Sequence, residues 1–146
     1  MNEQKAHQQY DKILRIVMTL MGSGSTFSND LEELGRKILG DSFAGVSPAD
    51  RIPTLNNNKK YAIVNLDFSG EIGSHWVACA YNNGSVMMYD SFGRKADRIL
   101  PALTAYRVID TDDDKEQLQT EENCGQRSLA WLIFHAMNGA KNAKLI

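Results

Sequence analysis

The segment from Cys124 to Met137 constrains the fold of this chain more than any other part of the sequence. After its first turn it carries apolar side chains on most sides, among them Trp131, Leu132 and Phe134. A helix that is apolar nearly all round is typically buried, because its side chains need water-excluding neighbours in every direction. The sequence therefore predicts a central, buried helix.

Two helices are predicted in the first 40 residues. Apolar side chains at helical spacing predict a helix over roughly residues 3–21 with one apolar face, made of Tyr10, Ile13, Ile16, Val17, Leu20 and Met21. A Gly/Ser joint, residues 22–29, breaks this N-terminal helical extension. A second, short helix begins at an N-cap oxygen from Ser28, Asn29 or Asp30 and ends near Gly40. The first helix is either packed on the domain or a mobile arm that contacts a partner, and we favour packing because an exposed apolar stripe would be sticky.

The middle of the chain predicts a sheet. Residues 41–60, rich in Pro and Asn, are predicted as loop and turns. Three short apolar runs predict strands at 61–66, 76–81 and 85–90, and Asn82-Asn83-Gly84 predicts a tight hairpin between the last two. A further strand is expected near 106–109, and Asp112-Asp113-Asp114 is a polar connection. The fold class is α+β: a central mixed sheet, a buried helix with the candidate nucleophile at its N-terminus, and N-terminal helices, all in one domain over residues 1–146.

Composition narrows the functional classes. With 146 residues, a formal net charge of −2 and a pI of about 5.9, the chain has no general attraction to phosphate backbones, so nucleic acid is not the expected main partner. Its two cysteines form no CxxC pair and cannot staple a disulfide framework, which favours a reducing, intracellular location. We expect no bound metal, no cofactor, no signal peptide and no membrane partner.

A cysteine, a histidine and an aspartate then predict nucleophilic chemistry. Cys124 opens the buried helix, where backbone amides and the helix dipole favour a thiolate. His75 precedes one predicted hairpin strand and suits the role of base, and Asp90 ends the neighbouring strand and can orient that imidazole. Gly125 leaves room for a substrate backbone. By itself Cys124 would more often be a small buried hydrophobe, which is the interpretation that we keep for Cys79. The combination with His75, Asp90 and Gly125 reverses this and favours a nucleophile.

These motifs together resemble a known family. The segments Tyr61-Ala62-Ile63-Val64-Asn65, Gly73-Ser74-His75-Trp76, Tyr89-Asp90-Ser91-Phe92-Gly93 and Asn123-Cys124-Gly125 look like the core motifs of adenovirus-type (adenain-like) maturation cysteine proteases. The wider clan of that family includes the proteases specific for ubiquitin-like proteins. The resemblance covers roughly residues 31–137 and implies the order histidine, acidic residue, cysteine.

The resemblance also implies further site residues. In the family a glutamine shortly before the cysteine donates to the oxyanion, and here Gln119 is favoured over Gln117. Trp76 would pack beside the catalytic histidine and shape a narrow channel for small substrate residues. The family cleaves after glycine, so the implied partners are polypeptides with Gly near the scissile bond, including capsid precursors.

The leading hypothesis is therefore a viral or virus-like maturation protease, a thiol protease acting in the cytoplasm or nucleus of a host cell and in the virion. The alternatives are a protease that processes SUMO or ubiquitin-like proteins, an acyltransferase of the same clan that uses acetyl-CoA, and a non-catalytic binding module.

Overall fold

A five-stranded mixed sheet forms the centre of the fold. The computed structural model of the chain describes residues 1–66, 75–111, 115–117 and 121–146, with the backbone alone described for Arg98, Ile99 and Thr104. Within these ranges the strands lie in the order β1-β2-β3-β4-β5, with β1 parallel to β2, β2 and β4 antiparallel to β3, and β5 parallel to β4. Their bounds are β1 Phe43–Pro48, β2 Tyr61–Asn65, β3 Trp76–Asn82, β4 Ser85–Tyr89 and β5 Arg107–Asp110.

The hairpin between β3 and β4 forms where the sequence predicts it. Asn83 and Gly84 both have positive φ, at 49° and 87°, which a two-residue turn joining twisted strands requires. Asn82 pairs with Ser85 across this turn, and the register continues to the pair formed by Ala78 and Tyr89. The hairpin therefore brings the start of β3 and the end of β4 to the same end of the sheet.

Helices lie on both faces of the sheet. Their bounds are α1 Glu3–Met21, α2 Ser28–Leu39, α3 Ala96–Ile99, α4 Cys124–Asn138 and α5 Ala140–Ala143. Four of them, α1, α2, α4 and α5, cover one face of the sheet, and α3 lies on the other. The predicted central helix is α4, in which Leu129, Trp131 and Phe134 are fully buried. Trp131 stacks on Tyr89 of β4, with ring centroids 5.5 Å apart. The opposite face has its own apolar cluster, in which alternate residues of β3 and β4 pack against α3 and the loop after β1.

The first helix has the predicted bounds and packs against α4, which confirms that it is part of the domain. Its predicted apolar face is wrong in part. Ile13 and Val17 are buried, whereas Ile16 and Leu20 are each 61% exposed. At about 100° per residue, Ile16 and Leu20 lie to one side of the buried stripe, which consists of Ala6, Tyr10, Ile13, Leu14 and Val17.

Two other predictions are corrected. Residues 41–60 are not all loop, because β1 forms there despite Gly45 and Pro48, which disfavour strands. Parallel pairing with β2 supplies hydrogen bonds that the sequence pattern does not reveal, and the Glu32 carboxylate accepts a bond from the Val46 amide at 2.7 Å. The N-cap of α2 is Phe27, without a side-chain bond, rather than one of the three polar residues after it.

Candidate active site

His75 and Asp90 meet at one end of the sheet. His75 directly precedes β3 and Asp90 directly follows β4, so the hairpin brings both residues to the same end of the sheet. Continued past the last pair of the hairpin, the register puts Asp90 opposite Val77, so His75 and Asp90 are diagonal neighbours. The distance from His75 Nε2 to Asp90 Oδ1 is 2.6 Å, and both residues are buried. Phe92 stacks on the His75 ring, with centroids 4.8 Å apart. The imidazole is thus fixed by a carboxylate at one nitrogen and by an aromatic ring on its face.

Asp90 accepts hydrogen bonds on both carboxylate oxygens. Besides His75, the donors are the Phe92 amide at 3.2 Å and Arg94, whose amide and Nε reach Oδ2 at 3.2 and 2.7 Å. Burial by itself raises the pKa of Asp90, but the bonds from His75 and Arg94 outweigh it and lower the pKa to about 2. Asp90 therefore stays ionised at any pH at which a histidine can act as a base.

The depressed pKa of Asp90 makes the stability of the domain depend on pH. The folded state binds this proton less readily than the unfolded chain, whose ordinary Asp value is 3.8, so the contribution is present above about pH 4 and is lost as the pH falls toward about 2. We expect Asp90→Asn to lower the free energy of unfolding by about 2 kcal/mol at neutral pH. The difference from wild type should shrink between about pH 4 and pH 2, as measured by urea denaturation.

The control for this prediction is Asp11→Asn, which changes an exposed carboxylate of α1. That variant should keep the wild-type pH dependence. An Asp90→Asn protein with an unchanged slope of stability against pH would show that Asp90 is not the group that titrates.

Cys124 is the first residue of α4, as the sequence predicts. The residue is 7% exposed, and its Sγ accepts a hydrogen bond from the Trp76 amide at 3.4 Å. Burial raises the pKa of the Cys124 thiol, but hydrogen bonds with His75 and from the Trp76 and Gly125 amides outweigh it, so the pKa is lowered. Cys79, fully buried among apolar neighbours, shows the opposite: burial raises its pKa to about 12. Of the two cysteines, Cys124 alone has surroundings that favour a thiolate.

The pKa of His75 depends on both Asp90 and Cys124. Burial lowers the pKa of His75, but the hydrogen bonds with Asp90 and Cys124 and the charges of both groups outweigh it, so the pKa is raised. Because Asp90 occupies Nε2, Nδ1 is the ring nitrogen left for the thiol. A lowered cysteine pKa beside a raised histidine pKa favours transfer of the proton from sulfur to imidazole.

The sequence offers two glutamines as candidate oxyanion donors, Gln119 and Gln117. Gln119, favoured as the oxyanion donor, lies outside the described residues. Gln117 is buried, accepts a bond from Ser91 Oγ at 2.6 Å and donates from Nε2 to the Glu121 carbonyl at 2.7 Å. It thereby links the residue after Asp90 to the loop before Cys124. Its amide carries two hydrogens, and the bond to Glu121 uses one.

Trp76 holds the sulfur through its backbone. Its amide donates to Cys124 Sγ, and its carbonyl accepts a bond from Ser128 Oγ at 3.1 Å. Ser128 lies one helical turn after Cys124, so β3 and the start of α4 are bonded at two points. The indole itself is buried in the core beneath α4. The predicted substrate channel beside Trp76 stays a prediction.

Gly125 makes room for the joint between α1 and α2. A Cβ at this position would lie 2.3 Å from Thr26 Oγ1 and 3.1 Å from Leu31 Cδ1. The joint is tied down next to it, because Gln126 Nε2 donates to the carbonyls of Gly22 and Gly24 at 2.8 and 2.7 Å. Thr26 thus occupies the space that the missing side chain leaves, and a contact of Gly125 with substrate stays a prediction.

This close approach predicts the effect of a single methyl group. Gly125→Ala is expected to destabilise the fold by about 1–3 kcal/mol, because Thr26 or the start of α4 must move. Gly24→Ala in the same joint is the matched control, since nothing lies within 4 Å of a Cβ there. Chemical denaturation of both variants tests this, and equal stabilities would contradict the observed packing.

Several residues of this region were not found by sequence reasoning. Arg94 bonds to Asp90, Phe92 stacks on His75, and Ser128 bonds to the Trp76 carbonyl, yet none of the three has a distinctive spacing by itself. The sequence did offer one clue: Ser128 lies four residues after Cys124 and hence on the same side of a helix. His135 of α4 is buried and contacts the Tyr61 hydroxyl through Nδ1 at 3.1 Å, so it is separate from the candidate site.

No group of three or more His, Cys, Asp or Glu side chains in the described part of the chain is placed to hold a metal ion. Among the helices of those same ranges, none combines the length and the apolar character needed to cross a membrane. No protein-family model matches this chain, and no curated protein matches it either.

Proposed function

We propose that this chain is a cysteine endopeptidase that uses Cys124 as nucleophile, His75 as general base and acid, and Asp90 as the group that orients His75. The observation that carries the proposal is that the three residues meet at one end of the sheet: Asp90 Oδ1 lies 2.6 Å from His75 Nε2, and Cys124 Sγ accepts a hydrogen bond from the amide of Trp76, the residue directly after His75. The opposite pKa shifts of Cys124 and His75 support it, since a thiolate is the reactive form.

The reaction proceeds in two halves. In the first, His75 holds the thiol proton, the Cys124 sulfur forms a bond to the peptide carbonyl carbon, and the carbon–nitrogen bond breaks as His75 gives that proton to the leaving amine. In the second, His75 takes a proton from water, the resulting hydroxide attacks the thioester, and the carbon–sulfur bond breaks. The products are an acid, an amine and the free thiol.

Charge on the intermediate oxygen needs donors. The Cys124 backbone amide lies at the N-terminus of α4, where amides have no partner within the helix. Gln117 is a second candidate donor, because it is bonded to the loop that leads into Cys124, and Gln119 remains the other candidate. A donor aimed at the developing charge contributes about 3 kcal/mol to catalysis.

The proposal extends to the kind of protease. The motifs around the three residues resemble those of adenovirus-type maturation proteases, so the proposed substrates are precursor proteins cut after Gly-containing motifs, with capsid precursors as the proposed partners. The proposed location is the cytoplasm or nucleus of a host cell and the virion.

A peptide library tests this function and separates it from the alternatives. The purified chain is incubated with Gly-Gly and Gly-X-Gly peptides, a SUMO fusion and a ubiquitin fusion, and mass spectrometry locates any cut. Cleavage of the short peptides after glycine supports the proposal. Cleavage of the fusions alone supports a modifier-processing protease, acetyl transfer from acetyl-CoA supports an acyltransferase, and no reaction of any kind contradicts the enzymatic proposal.

A further inference from the structure

Tyr10 of α1 contacts the strand end that carries Asp90. Its ring is fully buried, and its hydroxyl lies 2.8 Å from the hydroxyl of Tyr89, the last residue of β4. Burial raises the pKa of Tyr10 to about 12 and holds the pKa of Tyr89 well above its ordinary value, so both hydroxyls keep their protons. The first helix therefore makes a specific polar contact with the residue directly before Asp90.

Arg127 holds the loop directly before Cys124. Its side chain is 10% exposed. The Nε donates to Asn123 Oδ1 at 3.0 Å, and one terminal nitrogen lies 3.5 Å from Glu121 Oε2. Asn123 Nδ2 donates to the same Glu121 carboxylate at 3.1 Å. The other terminal nitrogen of Arg127 donates to the Tyr10 hydroxyl at 3.5 Å. A planar guanidinium with several donors can hold three such partners at fixed angles, which an ammonium group cannot.

We infer that Tyr10 and Arg127 are positioning residues that set the Cys124 turn against the strand end that carries Asp90. This inference rests on the proposed function. The buried hydroxyl of Tyr10 contacts Tyr89 on one side and Arg127 on the other. Tyr89 directly precedes Asp90, and Arg127 lies in the first turn of the helix that begins at Cys124. Covalent catalysis depends steeply on such placement, since a displacement of about 1 Å can cost about 100-fold in rate.

Kinetics of three variants test the inference. Arg127→Met and Tyr10→Phe are each expected to lower kcat at least tenfold, with KM unchanged within about twofold, because neither side chain has to touch the peptide. Arg127→Lys keeps the positive charge but not the planar guanidinium, so its kcat should lie between those of wild type and Arg127→Met. The matched control is Val17→Ala, which removes buried volume from α1 but none of these polar contacts.

The control separates positioning from plain stability. Val17→Ala should lose stability yet keep the wild-type kcat per folded molecule. If Arg127→Met loses as much stability as Val17→Ala and also keeps the wild-type kcat, the inference is overturned.

Amide hydrogen exchange supplies a readout that needs no substrate. Arg127→Met and Tyr10→Phe are expected to speed exchange over residues 121–124 at least threefold, whereas Val17→Ala should leave it unchanged. If exchange is faster in the two variants but the wild-type protein cleaves no peptide, the proposed function fails while the coupling of α1 to the loop stands. Unchanged exchange in both variants would remove the coupling itself.

Discussion

Cys124→Ala is expected to abolish peptide cleavage, lowering kcat by about 10⁴-fold or more while the fold persists. The reason is that the sulfur forms the bond to the substrate, and alanine has no atom that can replace it. Cys124 is 7% exposed, so the deletion leaves a small cavity that costs about 1 kcal/mol, and thermal unfolding should shift by only a few degrees. Turnover of the best peptide from the library, measured with stoichiometric enzyme, checks the loss.

Cys79→Ala is the matched control for this variant. It removes the same group from the other cysteine, which lies fully buried in β3 with a pKa raised to about 12 by burial. Its turnover should stay within about twofold of wild type, although the small cavity costs about 1 kcal/mol of stability. Equal cleavage by wild type and Cys124→Ala would contradict the assignment of the nucleophile.

His75→Ala is expected to lower kcat by about 10³-fold or more, and to change the state of the thiol as well. Without the imidazole, burial still raises the pKa of Cys124 while the largest opposing interaction is gone, so less thiolate is present at neutral pH. Part of the lost rate should therefore return as the pH is raised. A pH–rate profile of the variant from pH 6 to pH 10 measures this.

His135→Gln provides the histidine control. His135 lies eleven residues after Cys124 on α4, about 16 Å along the helix, and its pKa is lowered to about 4, first by burial. A neutral, structural histidine of this kind should be replaceable without a change in the pH–rate profile. A profile for His75→Ala that keeps the wild-type shape would contradict the role of His75 as base.

Local patterns were enough to predict the elements that carry the candidate site. The turn at Asn83 and Gly84 fixes the β3–β4 register, which in turn fixes the distance between His75 and Asp90. The apolar run after Cys124 fixes α4 as the central helix. Each of these depends on neighbours in sequence, so the sequence shows them directly.

The remaining features depend on contacts between distant segments. β1 forms through pairing with β2 and a hydrogen bond from the Val46 amide to the Glu32 carboxylate, although Gly45 and Pro48 weaken its strand pattern. The close approach of Thr26 to Gly125 and the contact of Tyr10 with Arg127 join residues about 100 positions apart. No local periodicity encodes such contacts, and the predicted apolar face of α1 failed at Ile16 for the same reason.

The most direct test of a reactive Cys124 is its rate of alkylation by iodoacetamide as a function of pH. Mass spectrometry of the labelled peptides separates Cys124 from Cys79. The thiolate–imidazolium arrangement predicts that Cys124 is labelled with an apparent pKa below that of an ordinary cysteine, about 8.5, and that His75→Ala raises this value. An apparent pKa at or above the ordinary value in wild type, unchanged in His75→Ala, would contradict it.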